Sequence, residues 1–249
     1  MANHTLARLA ADRPVRGAWV TSNAPRVAEA LARSPLDWVG VDGQHAPASA
    51  ERTEDLVRAI EPHATPVVRL PSVDRAVDGA AAATLDAGAR GLIVPNVATG
   101  AEAEAVVDAA HYPPEGTRGV AGTVRANGYG ADFAANVRDA NADLLLVVQV
   151  ESETGVENVA DVLGVAGVDA VLVGRNDLAA SMGYPGDADR PEVREAVDRV
   201  RRAALDAGVA PGVKAGDADA VAARVDDGYR FLLLGSDFSL LRRGLDPLV

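Results

Sequence analysis

The chain contains no cysteine, which excludes disulfides, thiolate nucleophiles and zinc–thiolate centres. It is nearly without lysine: of 24 Lys+Arg residues, Lys214 is the one lysine and the rest are arginine. Aromatic residues make up only 4%, so a core must be built from Ala, Val and Leu, which the 48% hydrophobic content supplies. No run of about 18 apolar residues occurs, which argues against a membrane span. The N-terminus MANHTLARLAADRP lacks the basic-then-apolar order of a signal peptide. Basic charge is outweighed by 36 Asp+Glu, giving a net charge of −12 that works against binding to nucleic acid or anionic membranes. The expectation is a soluble, cytoplasmic protein.

The acids divide into 24 Asp and 12 Glu. GC-rich coding favours Arg, Ala and Asp and would give this lean. The acidic, lysine-poor composition also resembles halophilic proteins of salt-loving archaea, and composition leaves both origins open.

At 249 residues the chain has the size of one α/β barrel. Eight apolar runs predict strands over Gly17–Val20, Trp38–Asp42, Val67–Leu70, Gly91–Pro95, Leu144–Glu151, Ala170–Gly174, Ala210–Lys214 and Phe231–Gly235. Between them, helical spacing covers Pro25–Arg33, Ser49–Ile60, Arg75–Ala87, Gly100–Ala110, Thr154–Leu163, Glu192–Ala207 and Asp217–Asp226, and several of these segments end in the glycine that a helix C-cap favours. Strand and helix alternating eight times predict a (β/α)8 TIM barrel forming a single domain over residues 1–249. No Gly-x-Gly-x-x-Gly opens a helix and no Walker loop is present, so a nucleotide-binding open sheet has no support. The Pro- and Gly-rich stretch from His111 to Gly130, with Arg118, Arg125 and Tyr129, predicts an active-site loop or a subunit contact.

The run Leu144–Glu151 is dense enough to be buried on both faces, yet it carries Gln149 and Glu151, two apart and hence on one side of the strand. The next run, Ala170–Gly174, leads within three residues to Asp177. Two carboxylates at neighbouring strand ends either repel or share a cation, and oxygen-only ligands favour a hard divalent ion such as Mg²⁺ or Mn²⁺. His45 directly follows the second strand, where an imidazole can act as a base near neutral pH. Arg69 closes the third strand, a costly place for a charge unless it meets a substrate carboxylate, a developing enolate or a core acid in an ion pair. His63 and His111 read as surface residues. Lys214, ending the seventh strand, is a candidate for a Schiff base or, together with Arg175, for contact with a negative or hydroxylated end of a substrate.

Together these segments resemble the HpcH/HpaI aldolase family. The resemblance rests on Gly17-Ala18-Trp19, Asp37 to Pro47 (DWVGVDGQHAP), Tyr112-Pro113-Pro114-x-Gly116-x-Arg118-Gly119, Val148 to Ser152 (VQVES) and Gly174-x-x-Asp177-Leu178-x-x-Ser181-x-Gly183-Tyr184-Pro185. It runs from about residue 5 to about residue 245 with the motifs in the family's order. The resemblance implies a metal-dependent class II pyruvate aldolase that cleaves a 4-hydroxy-2-oxo acid, of the 2-keto-3-deoxy sugar acid type, to pyruvate and an aldehyde. Glu151 and Asp177 would hold Mg²⁺, Mn²⁺ or Co²⁺. His45 would be the base, with its basicity raised by Asp86, and Arg69 would stabilise the transition state. Trp19, Gln149 and Asn176 would contact substrate. A homohexamer with C-terminal helices exchanged between subunits is also implied.

The chain departs from the family pattern at Gln44, where glutamate is usual, at Gly174-Arg175-Asn176-Asp177, where Gly-Pro-Ala-Asp is usual, and at Lys214, where an apolar residue is usual. An acyl-CoA lyase or citrate lyase-like activity is a rival within the same superfamily, although no basic patch for a CoA tail is evident. A non-enzymatic scaffold would leave the aligned polar residues without a role.

Overall fold

The runs of β-branched and aliphatic residues form eight parallel strands: β1 Val15–Val20, β2 Trp38–Asp42, β3 Thr65–Arg69, β4 Gly91–Val94, β5 Leu145–Val150, β6 Ala170–Val173, β7 Ala210–Lys214 and β8 Phe231–Ser236. Each pairs with its sequence neighbours, and β8 pairs with β1, so the sheet closes into a barrel with helices between the strands. The structure is a computed structural model that describes residues 3–46 and 48–246. Pro47, in the turn after β2, lies outside the described residues. Among the described residues no helix is long and apolar enough to cross a membrane.

Alternation along the strands divides the barrel into two apolar layers. Val15, Trp38, Val67, Ile93, Leu145 and Phe231 fill the interior. Val39, Val68, Leu92, Leu146 and Val171 face outward against the helices. The few aromatics are concentrated inside, where Trp38 stacks on Phe231 with centroids 4.5 Å apart and meets the edge of Trp19 at 5.7 Å. Gly17 makes room for this cluster, since a Cβ there would lie 2.0 Å from the Trp38 ring.

The N-terminal ends of the strands are closed by the helix His4–Ala10. Buried Asn3 caps that helix, its Oδ1 accepting from Leu6 N, while its Nδ2 donates to the carbonyls of Arg90 and Asp143. Thr5 Oγ1 lies 2.7 Å from Thr65 Oγ1 and 3.0 Å from the Asp37 carbonyl. This end is a polar floor in which backbone groups are satisfied by side chains.

Two helical expectations change and one helix is added. The segment Arg75–Ala87 is not one helix: a short turn, Val73–Arg75, passes into the wide turn Ala76–Ala80, where Gly79 takes φ of 106°, and then into the helix Ala81–Asp86. Glycine reaches positive φ without a Cβ clash, so the break falls there. The segment Thr154–Leu163 divides into Glu153–Glu157 and Val159–Leu163 around Asn158, whose side chain leaves the helix to bond the Ala98 carbonyl. A helix over Arg175–Ser181, not anticipated from spacing, follows β6 directly.

Candidate active site

The interior positions nearest the C-terminal strand ends turn polar. Asp42 and Arg69 end β2 and β3, and their Cα atoms are register partners. Arg69 donates Nε to Asp42 Oδ1 at 3.0 Å and Nη2 to Oδ2 at 2.7 Å, a bidentate pair buried to 8% and 1% exposure. Its guanidinium also lies 4.8 Å from the Trp19 ring centroid. Arg69 therefore realises the ion-pair option. Asp42 Oδ1 further accepts the backbone N–H groups of Gln44 and His45, so one carboxylate fixes both the arginine and the turn that carries His45. The Arg69 guanidinium and these N–H groups hold Asp42 below the usual carboxylate range against the opposing effect of burial. Asp42 was missed as a site residue, yet the cue that singled out Arg69, a charge closing a buried strand, applies to it equally.

Across the mouth, Gln149 and Glu151 project from the same side of β5, as their spacing requires, and the Gln149 amide donates to Glu151 Oε2. Both are buried. Burial first and the charge of Asp177 second push the Glu151 carboxyl up to about 7, while Gln149, Arg69 and the Asn96 N–H oppose the rise. Gly174 makes the approach possible, because a Cβ there would lie 2.4 Å from Glu151 Oε2 and 2.9 Å from Gln149 Nε2. Asp177, exposed in the first turn of the helix Arg175–Ser181, supplies the second carboxylate. Gln149 Oε1 is buried with no hydrogen-bond partner.

A divalent cation fits these residues: the charge of Asp177 acts on Glu151, and the orphaned amide oxygen of Gln149 belongs to the side chain in contact with Glu151. No group of three or more His, Cys, Asp or Glu assembles among the described residues, so two carboxylates would hold the ion with other oxygens completing its shell.

A cavity of about 620 Å³ collects Trp19, His45, Arg69, Gln149, Asn176, Asp177 and Lys214 at this mouth. The structure thus brings together eight of the nine residues singled out, with Glu151 in contact with Gln149. It does not bring Asp86 to His45. The helix Ala81–Asp86 runs back antiparallel to β3, so its C-terminal residue reaches the floor, where Asp86 pairs with Arg118 at 2.5 Å. The stretch His111–Gly130 is at the floor for the same reason, since it follows the returning helix Gly100–Ala110. Arg118 there lies over the Tyr112 ring and Arg125 pairs with Glu61, so the active-site option for this loop falls within a single chain. His111 is buried, not on the surface, with Nδ1 2.8 Å from the Val107 carbonyl.

A closed parallel barrel with carboxylates, a glutamine, an arginine and a histidine at its C-terminal mouth has the construction of a (β/α)8 enzyme. The chain belongs to the HpcH/HpaI aldolase/citrate lyase family, whose model matches residues 16–244. It is 40% identical to a hydroxypyruvate/pyruvate aldolase of Delftia acidovorans, over 97% of this chain and 89% of that protein. It is 39% identical to a 2-keto-3-deoxy-L-rhamnonate aldolase of Klebsiella pneumoniae, over 92% and 85%. A crystal structure of a family member from Burkholderia cenocepacia superposes with a TM-score of 0.93 at 37% identity, covering 99% of this chain and 97% of the other.

Proposed function

We propose that the protein is a class II, metal-dependent aldolase catalysing the reversible retro-aldol cleavage of a 4-hydroxy-2-oxo acid to pyruvate and an aldehyde. The observation that carries this reading is the electrostatic coupling of Glu151 and Asp177 beside buried Gln149 and Arg69 at the mouth of a barrel of this family. Glu151 and Asp177 are the residues that would hold Mg²⁺, Mn²⁺ or Co²⁺, and a divalent ion there supplies a Lewis acid for the keto-acid half.

The chain's own residues account for the remaining steps. Gln149, with its free amide oxygen, and the start of the helix at Asn176 orient the keto acid. His45, held at the mouth by the Asp42 turn, takes the proton from the C4 hydroxyl as the C3–C4 bond breaks. Arg69, rigid between Asp42 and Trp19, stabilises the negative charge that develops on the enolate side. Trp19 closes that wall of the cavity and excludes water. In synthesis the same groups run in reverse.

The relatives' names make hydroxypyruvate a second donor to test beside pyruvate. The decisive experiment is release of pyruvate or hydroxypyruvate from a panel of 2-keto-3-deoxy acids, with and without chelator. Turnover that stops on chelation and returns with Mg²⁺, Mn²⁺ or Co²⁺ supports the reading, and full activity in excess chelator overturns it.

The reading extends to assembly. The base of the C-terminal helix Asp237–Leu245 is tied to the barrel, Asp237 accepting from Thr21 Oγ1 at 2.6 Å and from Ser22 N at 2.9 Å. Farther along, Phe238, Leu241 and Leu245 are exposed. An apolar helix face of this kind fits exchange between subunits of a homohexamer, and light scattering that finds only monomer at working salt overturns that part.

A further inference from the structure

Lys214 is not a rim residue that happens to be near the site. In the β7–β8 register it pairs with Leu233, as Gly212 pairs with Phe231, and both partners face the barrel interior. Its neighbour Val213 faces the opposite way, packing with Leu232 and Tyr229. Lys214 therefore occupies the last inward-facing position of β7, in the layer that also holds Arg69 and Gln149, and it lines the same cavity.

The mouth's other cations are committed. Arg69 is clamped to Asp42, and Arg175 donates Nη2 to the Ala188 carbonyl and to Asp189 Oδ1, both at 2.7 Å. The structure thus separates two residues that the sequence reading grouped: Arg175 anchors the segment after its own helix, and the Lys214 ammonium has no hydrogen bond or ion pair with any described residue. With Glu151 and Asp177 balanced by a divalent cation, and each arginine balanced by its aspartate, the ammonium is the positive charge left over in the cavity.

Exposure of the side chain, not height of the backbone, decides which half of the substrate meets it. Glu151 and Gln149 are 5% and 3% exposed, so a keto acid anchored there sits low in the barrel. Lys214 is exposed, at the open side through which the aldehyde half must extend and leave.

We propose that Lys214 is a specificity-determining residue that selects aldehydes carrying a carboxylate at the end remote from the carbonyl. The inference rests on the aldolase reading and names the substrate class for it. A single mobile ammonium suits chains of differing length, since it demands no bidentate geometry.

The test is aldol addition to pyruvate by the metal-loaded enzyme, comparing succinic semialdehyde with butanal, which has the same chain length and no charge. For Lys214→Met the ratio of kcat/KM for the anionic over the neutral aldehyde should fall roughly 10- to 100-fold, chiefly through KM, as loss of a hydrogen bond to a charged group implies. Lys214→Arg should recover most of the ratio, and circular dichroism should show both variants folded. A ratio that stays within about threefold of wild type overturns the proposal, whether both aldehydes lose together, which would assign Lys214 to the keto-acid half, or neither does. A borohydride-trapped pyruvate adduct on wild type, absent from Lys214→Met, overturns it in favour of a Schiff base. Wild type that exchanges pyruvate methyl protons in D₂O but prefers butanal refutes this inference alone. Wild type that neither exchanges those protons nor condenses either aldehyde refutes the aldolase reading with it.

Discussion

The two ends of the barrel are both rich in charge, and they use it in opposite ways. At the floor the charges fall into pairs, Asp86 with Arg118, Glu61 with Arg125 and Asp143 with Arg90, Asn3 bridges two carbonyls, and Arg118 Nε is left without a partner. At the mouth two carboxylates repel each other, an amide oxygen is orphaned and a lysine has no partner among the described residues. Paired charge at the end where the chain begins each strand serves the fold rather than a ligand. Unpaired charge in a concave site is tension that a ligand relieves, and this distinguishes a functional end from a structural one. A raised carboxyl is not by itself the mark: Asp169 at the floor is pushed up to about 6, but by burial, and the Leu146 N–H and His111 oppose that rise.

The contrast can be broken most sharply at Glu151. Glu151→Gln removes one of two carboxylates, so turnover and metal affinity should fall by more than the roughly 10- to 100-fold that loss of an outer partner of a metal site costs. Metal titration followed by calorimetry measures this directly, and unchanged affinity would remove Glu151 from the site. His45→Ala should lower kcat by roughly 10²- to 10⁴-fold. The same variant should melt as wild type does, because His45 is exposed and the Asp42 turn is held by backbone N–H groups. Unfolding of this variant would make His45 structural. At the floor the signature should reverse. Asn3→Ala should cost about 1–3 kcal/mol in urea unfolding while kcat stays at the wild-type value. A kcat loss there would mean that the two ends are coupled.

The pH dependence sharpens the same comparison. Glu151 rises from 4.5 to about 7 and Asp169 from 3.8 to about 6, so in the metal-free protein each is protonated more readily folded than unfolded. The folded state then binds more protons, and stability falls as pH rises through those windows. Near pH 8 Mg²⁺ should restore the part lost at Glu151, whereas Asp169→Asn should flatten the lower window with or without Mg²⁺. Unfolding midpoints measured against pH, with and without the ion, separate the two. The smallest effect concerns the exterior: a halophilic surface should melt higher in molar KCl than at low salt, and unchanged melting would assign the composition to coding bias.

Much of the site was legible because its cues are local. Gln149 and Glu151 interrupt an apolar strand at a spacing of two, and Asp177 follows the next strand within one helical turn. Arg69 drew attention as a charge ending a buried strand, although its partner did not. Pairing Asp42 with Arg69 depends on the register between β2 and β3, which neither strand encodes alone. Asp86 stands away from His45 of its own chain for a different reason. Its motif matched the family, but the end of the barrel it reaches follows from the direction of the returning helix.

The sequence by itself therefore determined the alternation of eight strands and helices, the closed barrel that follows from it, and the polar residues at the strand ends. These rest on periodicity and burial cost, which act over a few neighbouring residues. Only the tertiary structure decided which charges are neutralised. Whether Arg175 meets Asp189, Arg118 meets Asp86, or the Lys214 ammonium meets no described residue depends on distances between segments brought together by barrel closure. Electrostatic energy depends on separation in space, not along the chain.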